Sequence, residues 1–240
     1  MSSQMPAWMV KLEWGKGQIL GRSPPSEGTL LRYRDWKAGD ALAILASMVL
    51  VYLGWTFWSS SSLTSLVAWT FAGISVIWGS VSHYSVGRGR VLYAVPVVVS
   101  LGLFAVISVA MVAMNYQEIV ILALAFLASL GVMWLTSEPS VSGVMMHPFW
   151  GFFLSFIVFV GLGYVLAPNL NVPFLMAFVT FLAGFFMGTV AADTLLGSGS
   201  ARTSWGACVV GYNGGVDALY FSILIMAAVT ILSMVHGGIG

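Results

Sequence analysis

The sequence predicts an all-α polytopic membrane protein, a seven-transmembrane-helix bundle over residues 41–240 with an N-terminal arm over residues 1–40. Three observations predict it. Of 240 residues, 59% are hydrophobic and 7% are charged, where an ordinary soluble domain carries roughly 25% charged residues. Nine Lys and Arg and eight Asp and Glu cannot cover the exterior against water, so lipid covers most of it. Seven apolar runs approach the ~20 residues that a helix needs to cross the hydrocarbon core. Finally, all nine Lys and Arg fall in segments that seven crossings would leave on one side.

The runs are Ala41–Trp58, Leu63–His83, Val91–Met114, Ile119–Thr136, Pro148–Ala167, Pro173–Ala192 and Val216–His236. Between them lie segments with turn or cap chemistry: Ser59 to Ser62, Gly87-Arg88-Gly89-Arg90, Asn115-Tyr116-Gln117-Glu118, Ser137-Glu138-Pro139, Pro168-Asn169-Leu170-Asn171, and a longer polar stretch from Gly197 to Gly215. Pro148 and Pro173 sit at first-turn positions, where the missing N–H is harmless. Pro96 falls inside the third run and predicts a kink in its first turns. Six basic residues lie in the arm, Arg88 and Arg90 follow the second run, and Arg202 precedes the seventh. This positive-inside pattern puts the arm on the cis side and a short C-terminus on the trans side. It leaves the compartment open, with the mitochondrial inner membrane and the endoplasmic reticulum as candidates. The arm has no apolar core of the kind a signal peptide carries, and Glu13, Glu27 and Asp35 speak against a transit peptide.

Composition also narrows function. A net charge of +1 without a basic stripe argues against nucleic acid as a partner. Cys208 is the only cysteine, which excludes an internal disulfide or a cysteine-rich metal site and reads as a small buried hydrophobe. His83 and His147 fall at cis ends and His236 at a trans end, so no cluster of metal ligands is expected. Residues 197–202 lack the Lys-Ser/Thr ending of a phosphate loop, no nucleophile elbow is present, and no lysine lies in a run. These absences argue against an enzyme and against a resident cofactor. Trp8, Trp14, Trp36, Trp55, Trp58 and Trp150 read as interface anchors. Gly184 and Gly188 have the spacing of a close helix contact.

The chemistry-bearing residues of the late chain are Asp193, at the end of the sixth run, and Asp217, at the start of the seventh. Both would lie at the cis boundary on consecutive helices. Two carboxylates brought together in low dielectric share a proton or bind a cation. The alternative is that each caps a helix or faces water, and for Asp217 a helix N-terminus accommodates a carboxylate readily.

Four motifs follow one another from the fourth run onward: Ala125-Phe126-Leu127 through Leu135-Thr136-Ser137, then Met146-His147-Pro148-Phe149-Trp150-Gly151-Phe152-Phe153-Leu154, then Phe186-Met187-Gly188 with Ala192-Asp193-Thr194, and last Ala218-Leu219-Tyr220-Phe221-Ser222-Ile223. In their order and spacing the chain resembles the transmembrane Bax inhibitor motif family. It implies a seven-helix bundle with a proton-sensitive leak of cations, calcium especially, sensed by an aspartate pair on the last two helices. Asp193 matches the first aspartate. The Leu-Tyr register places Ser222 at the second position, whereas counting from Asp193 favours Asp217. Two departures stand out: Leu63–His83 contains neither Arg nor Glu where the family places a basic latch and an acid, and Ala192 replaces the tyrosine before the Asp-Thr pair.

Two functions follow as expectations. One is a pH-sensitive cation leak or channel using Asp193 with Asp217 or Ser222, with Ca2+ as its ion. The other is a non-catalytic structural or assembly subunit of a larger membrane complex, for example of respiratory type, whose arm docks on other membrane subunits. The arm's Trp8, Trp14, Trp36 and Pro24-Pro25 make it too apolar for a plain disordered tail.

Overall fold

The computed structural model describes residues 31–32, 35–88, 91–114, 116–140, 143–145, 148–167, 169, 172, 174–197, 208–212, 214 and 217–236. Trp8, Trp14, His147 and Arg202 lie outside the described residues. Seven helices are present among those described: α1 (Ala38–Phe57), α2 (Ser62–Val81), α3 (Val95–Met114), α4 (Tyr116–Thr136), α5 (Pro148–Leu166), α6 (Phe174–Gly197) and α7 (Ala218–Val235). Each overlaps one of the seven apolar runs, and α6 continues five residues beyond its run, which ends at Ala192. Five of them, α1, α2, α4, α6 and α7, are long and apolar enough to cross a bilayer. The other two contain the apolar stretches Val95–Val106 and Trp150–Leu166. The protein is thus a multi-pass α-helical membrane protein.

Its outer surface fits hydrocarbon rather than water. Leu45, Met48, Val49 and Tyr52 of α1 and Ile157, Val160 and Tyr164 of α5 are all exposed. With lipid outside, burial of apolar area does not drive helices together, so close backbone contact must. The α4–α6 pair shows this contact. A Cβ on Gly184 would stand 2.5 Å from Ala125 Cβ, and one on Gly188 would stand 2.7 Å from the Phe126 carbonyl. The two glycines therefore let α6 lie directly on the backbone of α4. Aromatic rings fill the space beside it, where Phe152, Phe156 and Phe159 of α5 meet Phe178, Phe181 and Phe185 of α6. Several hydroxyls along the spans are satisfied inside their own helix, as Thr70 is by Leu66 O at 2.8 Å and Thr136 by Val132 O at 2.8 Å. A bilayer offers them no water.

The connections at one end of the bundle depart from the sequence expectation, because they form strands. These are β1 (Leu31–Arg32), β2 (Tyr84–Arg88), β3 (Val91–Ala94), β4 (Glu138–Ser140), β5 (Gly143–Met145) and β6 (Cys208–Val210). A four-stranded sheet runs in the order β1-β2-β3-β6. Its β1–β2 and β2–β3 pairs are antiparallel, and β6 lies parallel to β3 with Leu92 opposite Val209. The second run therefore ends as helix at Val81, and the first four residues of the third run are strand. Pro96 is the second residue of α3, inside the first turn, where its missing N–H removes no bond. The expected kink is instead the helix start. The chain leaves β6 through Gly211, whose φ of +80° and close approach to Val97 exclude any Cβ.

The sheet gathers the start of α1, the end of α2, the start of α3 and the loop between α6 and α7 at one end of the bundle. Leu92, Ala94, Val97, Val209 and Val210 are buried there beneath Trp78 and Tyr220. Arg32, Lys37 and Arg88 belong to this sheet end.

Candidate functional site

Asp193 lies in α6, which continues to Gly197. The acid is consequently one turn inside the helix rather than at its end, and it is only 5% exposed. Its helix is the most enclosed of the five long spans: in the most apolar 18-residue stretch of Met176–Leu196, 72% of the residues are buried, against 28% in that of Ala38–Phe57 in α1. The residue after it, Thr194, donates its hydroxyl proton to Val190 O at 2.7 Å. The 3.1 Å contact between Tyr93 OH and Thr194 Oγ1 is therefore donated by the tyrosine. Tyr93 belongs to β3, which is hydrogen-bonded to β2 and, on its other side, to β6. In this way the end of α6 that carries Asp193 is tied to the sheet.

Asp217 is placed differently. It is the N-cap of α7, accepting from Leu219 N at 3.1 Å, which accounts for an acid at that position without any ion. Ser222 is fully buried and turns its hydroxyl back to Leu219 O at 2.7 Å, a bond within its own helix. The helices α6 and α7 pack against each other. Of the two late-chain acids, Asp217 is thus a cap residue and Asp193 lies inside its helix.

A third acid escaped the sequence reading. Asp40 is fully buried in the first turn of α1. It accepts from Lys37 N at 2.9 Å through Oδ2 and from Ser82 Oγ at 2.5 Å through Oδ1. Trp36 Nε1 donates to Gly79 O at 3.2 Å alongside, and a Cβ on Gly79 would meet Asp40 O at 2.8 Å. Asp40 therefore locks the start of α1 to the end of α2. One sequence signal pointed to it: an acid in the first turn, three residues after the helix boundary at Lys37, satisfies free N-terminal amides. The partner Ser82 is forty-two residues away and left no local trace. Tyr93 and Thr194 were equally silent, 101 residues apart.

No group of three or more His, Cys, Asp or Glu that could hold a metal is found among the described residues. His83 packs its ring against Tyr84, with centroids 4.4 Å apart, while His236 Nδ1 lies 2.9 Å from Leu232 O at the far end of α7. Trp36, Trp55, Trp58 and Trp150 are exposed at helix ends, whereas Trp78 is a core residue donating to Ser100 Oγ at 3.1 Å. No protein-family model, no curated protein and no solved structure matches the chain.

Proposed function

We propose that the protein is a pH-sensitive cation leak of Bax inhibitor-like type, with Asp193 as its responsive group and calcium as the ion the resemblance implies. The observation that carries this reading is a buried carboxylate on the central helix of a membrane bundle. Ionisable groups inside spans mark ion or proton pathways by default, because each is expensive to hold there. Asp193 also lies near the C-terminal end of α6, where helix carbonyls present partial negative charge and a cation is best accommodated. Calcium requires six or more oxygens, so carbonyls from the last turn of α6 and water would supplement the single carboxylate. Changing the charge of Asp193 would shift α6 against Tyr93 and the β3–β6 ladder, and so move the helix end at the sheet. Asp217 and Ser222 enter this reading only as neighbours on the next helix. The test is cation efflux from liposomes across a pH series. Asp193→Asn is expected to flatten the pH response, and an unchanged response removes the proposal.

A second reading is a non-conducting structural or assembly subunit of a larger membrane complex. It is favoured by the interdigitated phenylalanine rings of α5 and α6, which fill the bundle beside α6 with apolar matter. Particle mass after gentle solubilisation separates the two readings. A stable high-mass assembly that loses this chain on deletion of residues 1–30 favours the subunit, and an ion-conducting particle near monomer mass favours the leak.

A further inference from the structure

We propose that the cleft between α2, α3, α6 and α7 is a binding site for a lipid acyl chain. A cavity of about 250 Å³ opens there, walled by Phe71 and Ile74 of α2, Phe104 of α3, Ala183 of α6 and Met226 of α7. Its lining residues span 67–74 in α2, 103–104 in α3, 179–183 in α6 and 226–230 in α7. All four segments lie away from the ends of their helices, so the cleft sits at the depth of the hydrocarbon layer, and it reaches the surface at exposed Thr70.

The occupant follows by elimination. Protein interiors pack like organic crystals, and an unfilled space forfeits dispersion contacts along its whole wall. This space exceeds the ~150 Å³ at which an apolar cavity already takes up benzene. Water is a poor filling, because each molecule needs two to four polar partners. Three threonines line the space, and Thr70 is already committed to Leu66 O. That leaves Thr180 and Thr230 in a wall otherwise built of carbon. A helix from a partner is excluded by size, being ~10–12 Å across with its side chains. A hydrocarbon chain is slim, apolar and present at that depth at solvent concentration. The inference rests on the membrane placement alone and stands apart from any role of Asp193.

The test reconstitutes the full chain in phosphatidylcholine vesicles containing a phosphatidylcholine with a mid-chain diazirine, followed by photolysis and peptide mass spectrometry. Labelling of the peptides containing residues 67–74 and 226–230 is expected to exceed that of the outward-facing stretch 160–166 of α5 by about fivefold or more, a preference of ~1 kcal/mol for the site. Ala183→Phe, which fills the cleft, is expected to remove that excess while leaving α5 labelling unchanged. If Ala183→Phe does not fold, Val67→Phe at the half-buried rim repeats the measurement. Equal labelling of cleft and α5, or an excess that persists when the cleft is filled, overturns the proposal.

Discussion

Two helices of this bundle carry a buried acid near the sheet end, and they hold it in opposite ways. On peripheral α1, Asp40 sits in the first turn and accepts from Lys37 N and Ser82 Oγ. There the helix presents free amides and partial positive charge, so a carboxylate completes the structure. On central α6, Asp193 sits in the last turns, where the backbone presents carbonyls. Both acids are buried, but they meet opposite helix ends. Burial by itself therefore does not set a carboxylate's role; the pH response proposed for Asp193 rests on its place among the last carbonyls of α6.

The largest expected effect concerns what keeps α6 central. Gly188→Leu forces a side chain into the carbonyl of Phe126 and the Cβ of Ser129. The loss is expected to exceed the ~1–3 kcal/mol typical of overpacking, because backbone atoms cannot yield, and it is read as failure to recover a monodisperse species in detergent. Gly161→Ala on α5 is the control. Nothing stands within 4 Å of a Cβ there, and a gain of ~0.5–1 kcal/mol is expected from helix propensity. Next comes Asp40→Ala, which strands two donors. Hydrogen bonds to a charged group contribute about 1.5–3 kcal/mol each, so the thermal midpoint falls clearly while the pH response of ion flux is retained. Asp217→Ala removes a cap and is expected to cost about 1 kcal/mol, again with the pH response intact; its loss would restore Asp217 as a partner of Asp193. Tyr93→Phe is the smallest change. It removes the bond to Thr194 and is expected to lower stability by ~0.5–1.5 kcal/mol, measured by chemical unfolding in micelles.

The helices were legible because their signal is local and repeated: seven apolar runs coincide with seven helices to within a few residues. The sheet was not legible because its strands are short and pair across long sequence separations, as Val91 does with Cys208. Val91-Leu92-Tyr93-Ala94 reads as the continuation of an apolar helix, and only pairing with β2 and β6 makes it strand. Pro96 held the missing clue, since a proline belongs in a first turn more readily than inside a helix. The aspartate pair was inferred from order along the chain, and the helix cap offered as the alternative for Asp217 is present at the start of α7. Gly184 and Gly188 were legible as a contact, but α4 as their partner was not, because spacing names the face and not what lies on it.

The central claim is that Asp193 responds to pH while Asp40 holds the fold together. Cation efflux from liposomes, measured from pH 5 to 8 for the parent chain, Asp193→Asn and Asp40→Asn in parallel below their unfolding temperatures, tests it most directly. The account predicts a flat profile for Asp193→Asn alone, with Asp40→Asn less heat-stable yet as pH-responsive as the parent. A parent chain without efflux at any pH, or a response that disappears with Asp40 and survives without Asp193, would contradict it.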